Sequence, residues 1–136
     1  MWAYLSNSPK EIAMSKRNIV HVEIPAVNVE AAGEFYKALF NWKLQYDQEQ
    51  NYSMWEAGDG TGGGFPPVSD ESPAGHVLVY IHSDDIEADL KKVEQLGGKV
   101  VHPKAEIPQT GWFALFQDPT GNVLGLYTSM NRDFNK

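Results

Sequence analysis

Apolar and polar residues alternate over residues 19–24, and a period of two predicts a β-strand. The apolar face of this strand is expected to meet the core, and the other face, with His21 and Glu23, to line a cleft. From Val29 the apolar positions recur every three or four residues, which predicts an amphipathic helix of about three turns. Asn28 is the expected N-cap of that helix.

Three further strands are predicted after this helix, which is expected to end at a C-cap, Asn41. They cover residues 42–46, residues 52–57 and a short stretch near Phe65, which follows a glycine-rich connection over 58–64. This glycine run lacks the Lys-Ser/Thr pair of a phosphate-binding loop and has no helix after it, so phosphate binding is not expected. Its glycines are expected to leave room for a ligand close to the backbone.

The same order of elements is predicted again after a turn-rich segment, PPVSDESPAG. A strand over 76–82 alternates like the first one and carries His76 and Tyr80 on its cleft face. Ser83 and Asp84 are expected to cap a helix that ends at a glycine pair. Three strands are then predicted, the last two joined by a turn at DPTGN: 99–102, 112–117 and 122–128.

The two halves of the chain resemble each other, and each begins with a histidine. His21 opens HVEIPAVNVEAAGEFYKALFNWK, and His76 opens HVLVYIHSDDIEADLKKVEQLGGKV. A duplicated segment of this length is half of a small domain, and two such halves bury a core that neither could bury alone. The pseudo-symmetry predicts a cleft at which the two histidines face each other.

Composition narrows the possible chemistry. The 136 residues carry a formal net charge of −7 and include no cysteine. A cysteine nucleophile and a thiolate metal site are therefore excluded, and the acidic balance argues against nucleic-acid binding, which needs clustered Lys and Arg. No apolar run approaches the roughly 18 residues of a membrane span. We expect neither a nucleic-acid nor a membrane partner.

The length is typical of a single domain, which we expect over residues 18–130. Residues 1–17 are expected to form an N-terminal extension or arm, or else a short surface helix, and residues 131–136 a tail. Two modules and a connecting segment are predicted within the domain: about 18–66, about 76–130 and, between them, about 66–75. The first 17 residues lack the basic start and apolar run of a signal peptide, so a cytoplasmic location is expected.

Three motifs resemble the vicinal oxygen chelate superfamily, which includes glyoxalase I, bleomycin-resistance proteins and extradiol dioxygenases. They are HVEI followed by FYKALFNW, then KVEQLGGKVV, then FQDPTGNVLGLY, so that the resemblance runs from about Ile19 to Thr128. It implies an α+β fold with two βαβββ modules in one domain, whose strands form a curved, half-open sheet around a pocket. Superfamily members isomerise, cleave rings, open epoxides or simply bind small molecules on this fold, and they often dimerise.

In metal-using relatives, the first and last strands of each module supply ligands to a divalent ion in that pocket. His21 and His76 match the two first-strand positions, whereas the last-strand positions hold glycine, in residues 62–64 and at Gly125. The resemblance thus implies a two-histidine site for Zn, Ni, Fe or Mn, although catalytic zinc normally has three protein ligands. Glu23 is the one further candidate ligand. The missing carboxylate also removes the base of glyoxalase-like chemistry.

Three roles stay open for the two histidines. They are pocket-wall residues hydrogen-bonded to neighbours or to a ligand, or they bind a metal, or one of them is a general base, because imidazole titrates near neutral pH. Glu23 is the expected orienting partner of such a base. The candidate catalytic residues are therefore His21, Glu23 and His76.

We expect a pocket for a small organic molecule that is partly aromatic or apolar, because such pockets are mostly apolar with a few orienting polar groups. Its expected lining residues are His21, Glu23, Phe65, His76, Tyr80, Trp112, Gly125 and Tyr127. The favoured function is metal-independent binding of a small molecule, as in bleomycin-resistance proteins. The alternative is a metal-dependent glyoxalase-like lyase, isomerase or dioxygenase that uses His21 and His76. Whether the chain is an enzyme stays open, and a homodimer is the expected protein assembly.

Overall fold

Two β-α-β-β-β series follow one another along the chain. The computed structural model describes residues 16–58 and 60–131. Its elements are β1 (Ile19–Glu23), α1 (Val29–Phe40), β2 (Lys43–Asp47), β3 (Tyr52–Glu56), β4 (Gly62–Gly64), β5 (Leu78–His82), α2 (Ile86–Gln95), β6 (Lys99–Ile107), β7 (Gly111–Gln117) and β8 (Val123–Ser129). The α+β class and the two βαβββ modules are confirmed. The predicted arm over 1–17 and tail over 131–136 lie almost wholly outside the described residues.

The chain divides into two compact units. The first unit comprises residues 19–80, and the second comprises residues 81–131 together with 16–18. The division falls inside β5, whose first three residues belong to the first unit. Neither described helix is long and apolar enough to cross a membrane.

In the first unit, the hydrogen-bonded strand order is β2-β3-β4-β1, followed by the start of β5. The β2–β3 and β3–β4 pairs are antiparallel, whereas β4 and β1 run parallel, with Val22 opposite Gly63 and Glu23 opposite Gly64. Successive side chains point to opposite faces of a sheet. One face of β1 therefore carries Val22, and the other carries His21 and Glu23.

Aromatic side chains fill the core of the first unit, between α1 and the apolar face of the sheet. Trp55 stacks on Trp42 with ring centroids 4.0 Å apart and an interplanar angle of 10°. Phe65 is only 2% exposed and stacks on Tyr36 at 5.8 Å. Val22 packs against the same cluster. Phe65, which we expected in the pocket, therefore lies in the core.

Both predicted caps of α1 are confirmed. The Asn28 side chain accepts a hydrogen bond from the backbone N–H of Ala31 at 3.0 Å, which satisfies one free donor of the first turn. Asn41 adopts the left-handed conformation, with φ of 59°, and its N–H donates to the Lys37 carbonyl at 2.8 Å. The helix thus begins and ends where its polar flanking residues can bond the backbone.

Helix α2 is capped one residue later than predicted. Asp85 accepts from the N–H of Ala88 at 3.0 Å. Ser83 is fully buried, and its hydroxyl donates to Asp89 at 2.6 Å, so this side chain is not available as a cap. The predicted caps Ser83 and Asp84 are therefore wrong by one or two positions.

In the second unit, α2 packs on the antiparallel strands β6, β7 and β8, and the core contains Ile86, Leu90, Ala114 and Leu126. β6 continues to Ile107, past the predicted end at His102. The strand contains Pro103, and its register to β7 shifts on both sides of His102. Because a proline is tolerated in an edge strand or at a bulge, β6 passes through a residue that would end a central strand.

Strand β4 consists of three glycines that a side chain could not replace without a collision. A Cβ at Gly63 would collide with the Val22 carbonyl and lie 2.7 Å from Cζ2 of Trp55, and a Cβ at Gly64 would collide with the Tyr52 phenol. The sequence predicted that these glycines leave room for a ligand. At Gly63 and Gly64 that room is taken by the chain itself.

We expect Gly63→Ala to lower the free energy of unfolding by about 3 kcal/mol, the upper end of the usual cost of overpacking a core. The cost is high because the new Cβ meets both the Val22 backbone and the Trp55 ring. The matched control is Gly75→Ala, where a Cβ meets no atom within 4 Å but φ is 88°. This control should cost only the left-handed backbone strain of about 1–2 kcal/mol. Urea unfolding measures both, and equal losses would contradict the assigned collision.

Candidate functional site

Four side chains of the first unit form a hydrogen-bonded cluster: His21 and Glu23 from β1, Tyr52 from β3 and Tyr80 from β5. The Tyr52 hydroxyl lies 2.9 Å from Nε2 of His21 and donates to Oε2 of Glu23 at 2.6 Å. Tyr80 donates to Oε1 of the same carboxylate at 3.0 Å. Both carboxylate oxygens therefore have a phenol as partner.

The cluster forms because β4 lies between β1 and β3 and has no side chains. Glu23 pairs with Gly64, and Gly64 pairs with Met54 on its other side. Tyr52 is two residues before Met54 and so points to the same face. With no Cβ at Gly64, the Tyr52 ring lies over β4 and its hydroxyl reaches β1.

The surroundings of the cluster shift the pKa of His21 and of both tyrosines. The His21 ring packs edge-on against Tyr80 at 5.6 Å and lies 6.1 Å from the Tyr52 ring. Burial lowers the pKa of His21, with a smaller opposing effect of Glu23, so the neutral imidazole is favoured. Burial, and then the charge of Glu23, raise the pKa of Tyr52 and of Tyr80. Both phenols therefore keep their protons at neutral pH.

An open pocket of about 280 Å³ lies beside this cluster on the first unit. Its walls come from β1 to β4 and from the loop before β4, and they combine charged, amide, thioether and bare backbone surface. The described lining residues are Val20, His21, Lys43, Gln45, Met54, Trp55, Glu56, Gly58, Gly60, Thr61, Gly62 and Gly63. His21 is thus the residue that belongs both to the cluster and to the pocket wall.

His76 does not occupy the position that the sequence repeat predicted. It is exposed and precedes β5, and its backbone N–H closes a turn by donating to the Pro73 carbonyl at 3.1 Å. The strand predicted over 76–82 begins at Leu78 instead. The residue of β5 whose ring packs against His21 is Tyr80, and not His76.

These residues do not fit the divalent ion that the resemblance implies. Nε2 of His21 and both oxygens of Glu23 are already bonded to tyrosine hydroxyls. His76 is exposed in a turn outside the strand. Among residues 16–58 and 60–131, no three His, Asp or Glu side chains come together as a metal site.

Three other residues predicted in the pocket lie in the second unit. Trp112 packs against the core, with the Lys104 ammonium 5.5 Å from its ring centroid. Gly125 is buried in β8. The Tyr127 hydroxyl donates to the Thr110 carbonyl at 3.3 Å, and burial raises the pKa of this tyrosine. Their part in a ligand pocket stays a prediction.

Sequence reasoning missed Tyr52, which bonds directly to both His21 and Glu23. The Trp55 side chain of the same strand lies in the core. Period-two alternation places Tyr52, Met54 and Glu56 on the face opposite Trp55, so the strand pattern contained the signal. The same rule on β2 would have found two more missed pocket residues, Lys43 and Gln45.

Comparison with known proteins agrees with the fold and with the motifs. Residues 18–126 match the model of the Glyoxalase/Bleomycin resistance protein/Dioxygenase superfamily. The chain is 30% identical over 115 residues to a "Glyoxylase-like domain-containing protein" of Didymella fabae, which covers 79% of this chain and 90% of that protein. It is 33% identical over 95 residues to "Putative glyoxylase CFP32" of Mycobacterium bovis, which covers 68% of this chain. The match spans only 36% of that mycobacterial protein.

Solved structures show the same architecture at low identity. Methylmalonyl-CoA epimerase from Mycobacterium tuberculosis superposes with a TM-score of 0.63 at 13% identity, over 87% of this chain and 91% of that one. At this identity the likeness establishes the fold alone. Because the family model covers most of the chain, the protein belongs to the Glyoxalase/Bleomycin resistance protein/Dioxygenase superfamily.

Proposed function

We propose that this protein binds a small organic molecule in the pocket beside His21, without a metal ion held by His21 and His76. One observation carries the proposal. His21 lies in the pocket wall, and its Nε2 and both carboxylate oxygens of Glu23 already have tyrosine hydroxyls as hydrogen-bond partners. A metal bound to those atoms would have to displace the tyrosine hydroxyls. A buried group that loses its hydrogen-bond partner costs about 1–3 kcal/mol.

The pocket supports a compact ligand of mixed polarity. Its volume of about 280 Å³ is near the lower end of ligand pockets, which span about 300–1,000 Å³. Lys43 and Glu56 are paired across β2 and β3 and offer opposite charges, and Gln45 offers both a donor and an acceptor. Met54 supplies an adaptable apolar surface. These groups suit a molecule with an apolar body and polar substituents.

The metal-dependent alternative is less well supported by the geometry. It requires His76 to face His21, whereas the ring that packs against His21 from β5 is that of Tyr80. The two relatives reported above are named as glyoxylases, which favours a glyoxalase-like reaction for this chain. Membership of the fold alone, however, does not determine a reaction. The cytoplasmic location and the homodimer stay predictions from the sequence.

Metal titration separates the two functions. Calorimetry of chelator-treated protein with Ni²⁺, Co²⁺ and Zn²⁺ should show no saturable binding of one equivalent at micromolar affinity. His21→Ala and His76→Ala should give the same titrations as the natural protein. One-equivalent binding that either substitution abolishes would instead establish the metal-dependent alternative.

A pocket-filling substitution tests the binding site. Gln45 lines the pocket, and its neighbour Tyr46 points to the opposite face of β2. Fragments that raise the melting temperature of the natural protein should bind Gln45→Trp at least about tenfold more weakly, which is about 1.4 kcal/mol. Tyr46→Trp is the matched control and should keep their affinity. Unchanged binding to Gln45→Trp would place the ligand elsewhere.

Stability should depend on pH through His21. Its pKa is lower in the folded protein, so as pH falls below about 6.5 the unfolded chain takes up a proton that the folded chain does not. Urea unfolding should show that the natural protein loses stability as the pH falls from 8 to 5.5. His21→Gln should reduce this loss by at most about 1.4 kcal/mol per pH unit. An unchanged slope in His21→Gln would refute the neutral, buried imidazole.

A further inference from the structure

We propose that Tyr52 and Glu23 fix His21 in the tautomer protonated at Nε2, so that Nδ1 is a hydrogen-bond acceptor for a ligand that carries an O–H or N–H donor. This inference rests on the proposed binding function and adds the chemical class of the ligand. Tyr52 and Glu23 act through His21 and are therefore positioning residues.

The protons of the cluster can be assigned one by one. Two oxygens 2.6 Å apart, as in the Tyr52–Glu23 contact, need a proton between them. The Tyr52 hydroxyl is the donor in this contact, and the Tyr80 hydroxyl donates to the other oxygen of Glu23. The one hydroxyl proton of Tyr52 is therefore donated to Glu23.

This assignment determines the state of the histidine. With its proton directed at Glu23, the Tyr52 oxygen offers only a lone pair to Nε2 of His21, 2.9 Å away. Nε2 must then be the donor, because two lone pairs cannot form a hydrogen bond. A neutral imidazole carries a single N–H, so Nδ1 keeps its lone pair.

Nδ1 is the ring atom left for a ligand. No side chain or backbone group in the described part of the chain donates to it, and His21 belongs to the pocket wall. Burial favours the neutral ring, which preserves the acceptor. A hydroxyl, phenol or N–H group on a ligand complements this atom, whereas an ether or an aprotic ring of the same shape does not.

The tautomer is tested on the full chain labelled with ¹⁵N-histidine, by two-bond ¹H–¹⁵N correlation at pH 8. His21, assigned by comparison with His21→Gln, should show one tautomer, with a protonated-type shift at Nε2 and an unprotonated-type shift at Nδ1. Tyr52→Phe removes the acceptor and should give a mixture of tautomers. Tyr46→Phe, at a tyrosine outside the cluster, should leave the His21 shifts unchanged. A proton on Nδ1, or the same population in Tyr52→Phe, would overturn the assignment.

The ligand class is tested with phenol and anisole, which share a ring and differ in the hydroxyl proton. Phenol should bind roughly tenfold more tightly, the value of about one hydrogen bond, and should shift Nδ1 of His21. Equal binding of the two probes, or phenol binding that leaves Nδ1 unmoved, would refute the acceptor role.

The two proposals fail in different ways. If His21 shows the expected tautomer but neither these probes nor the fragments bind, the proposed binding function is wrong, and the ligand part of this inference is refuted with it. If ligands bind while His21 is a mixture of tautomers in the natural protein, only the inference is wrong.

Discussion

The absence of side chains on β4 is the constraint on which the first unit depends. This strand lies between β1 and β3, and each face of it is covered by a residue of β3. On the core face, the Trp55 ring lies against Gly63, and on the polar face, the Tyr52 ring lies over Gly64. Glycine is costly inside a strand because the unfolded chain loses more freedom on ordering. Here that cost is offset by two aromatic contacts and by the hydrogen bonds of Tyr52.

Each member of the cluster on the polar face is hydrogen-bonded to another member. Tyr52 bonds two partners, and Glu23 accepts from two tyrosines, so each bond directs the next one. Removing one member leaves another polar group without its partner, which costs more than the net value of the lost bond. Such a network holds its side chains in one arrangement, and His21 meets the pocket in a single orientation.

Much of the fold was predictable because it follows from local rules. Periods of two and 3.6 gave the strands and helices, and Asn28 and Asn41 gave the ends of α1. The DPTGN turn also forms as predicted. The Asp118 side chain accepts from the backbone N–H groups of Thr120, Gly121 and Asn122, and Gly121 has φ of 114°. Tertiary pairing explains the errors. β4 is a strand of glycines because it has partners on both sides, and β6 passes Pro103 because it lies at an edge.

The site was predictable only in part. Strand alternation placed His21, Glu23 and Tyr80 on one face, and the structure brings these three together. The link through Tyr52 required the strand order, because it depends on a strand without side chains lying between β1 and β3. His76 was misplaced because alternation continues through a turn, where Gly75 has φ of 88° and the strand has not yet begun.

The collision at Gly64 has a consequence for the evolution of this chain. A side chain at position 64 and a tyrosine at position 52 need the same space, so the two cannot coexist in this backbone. A lineage that acquired a side chain at position 64 would have to lose the phenol, which leaves His21 and Glu23 without their shared partner. Descendants that keep Tyr52 are therefore confined to glycine at position 64, and the two residues must change together.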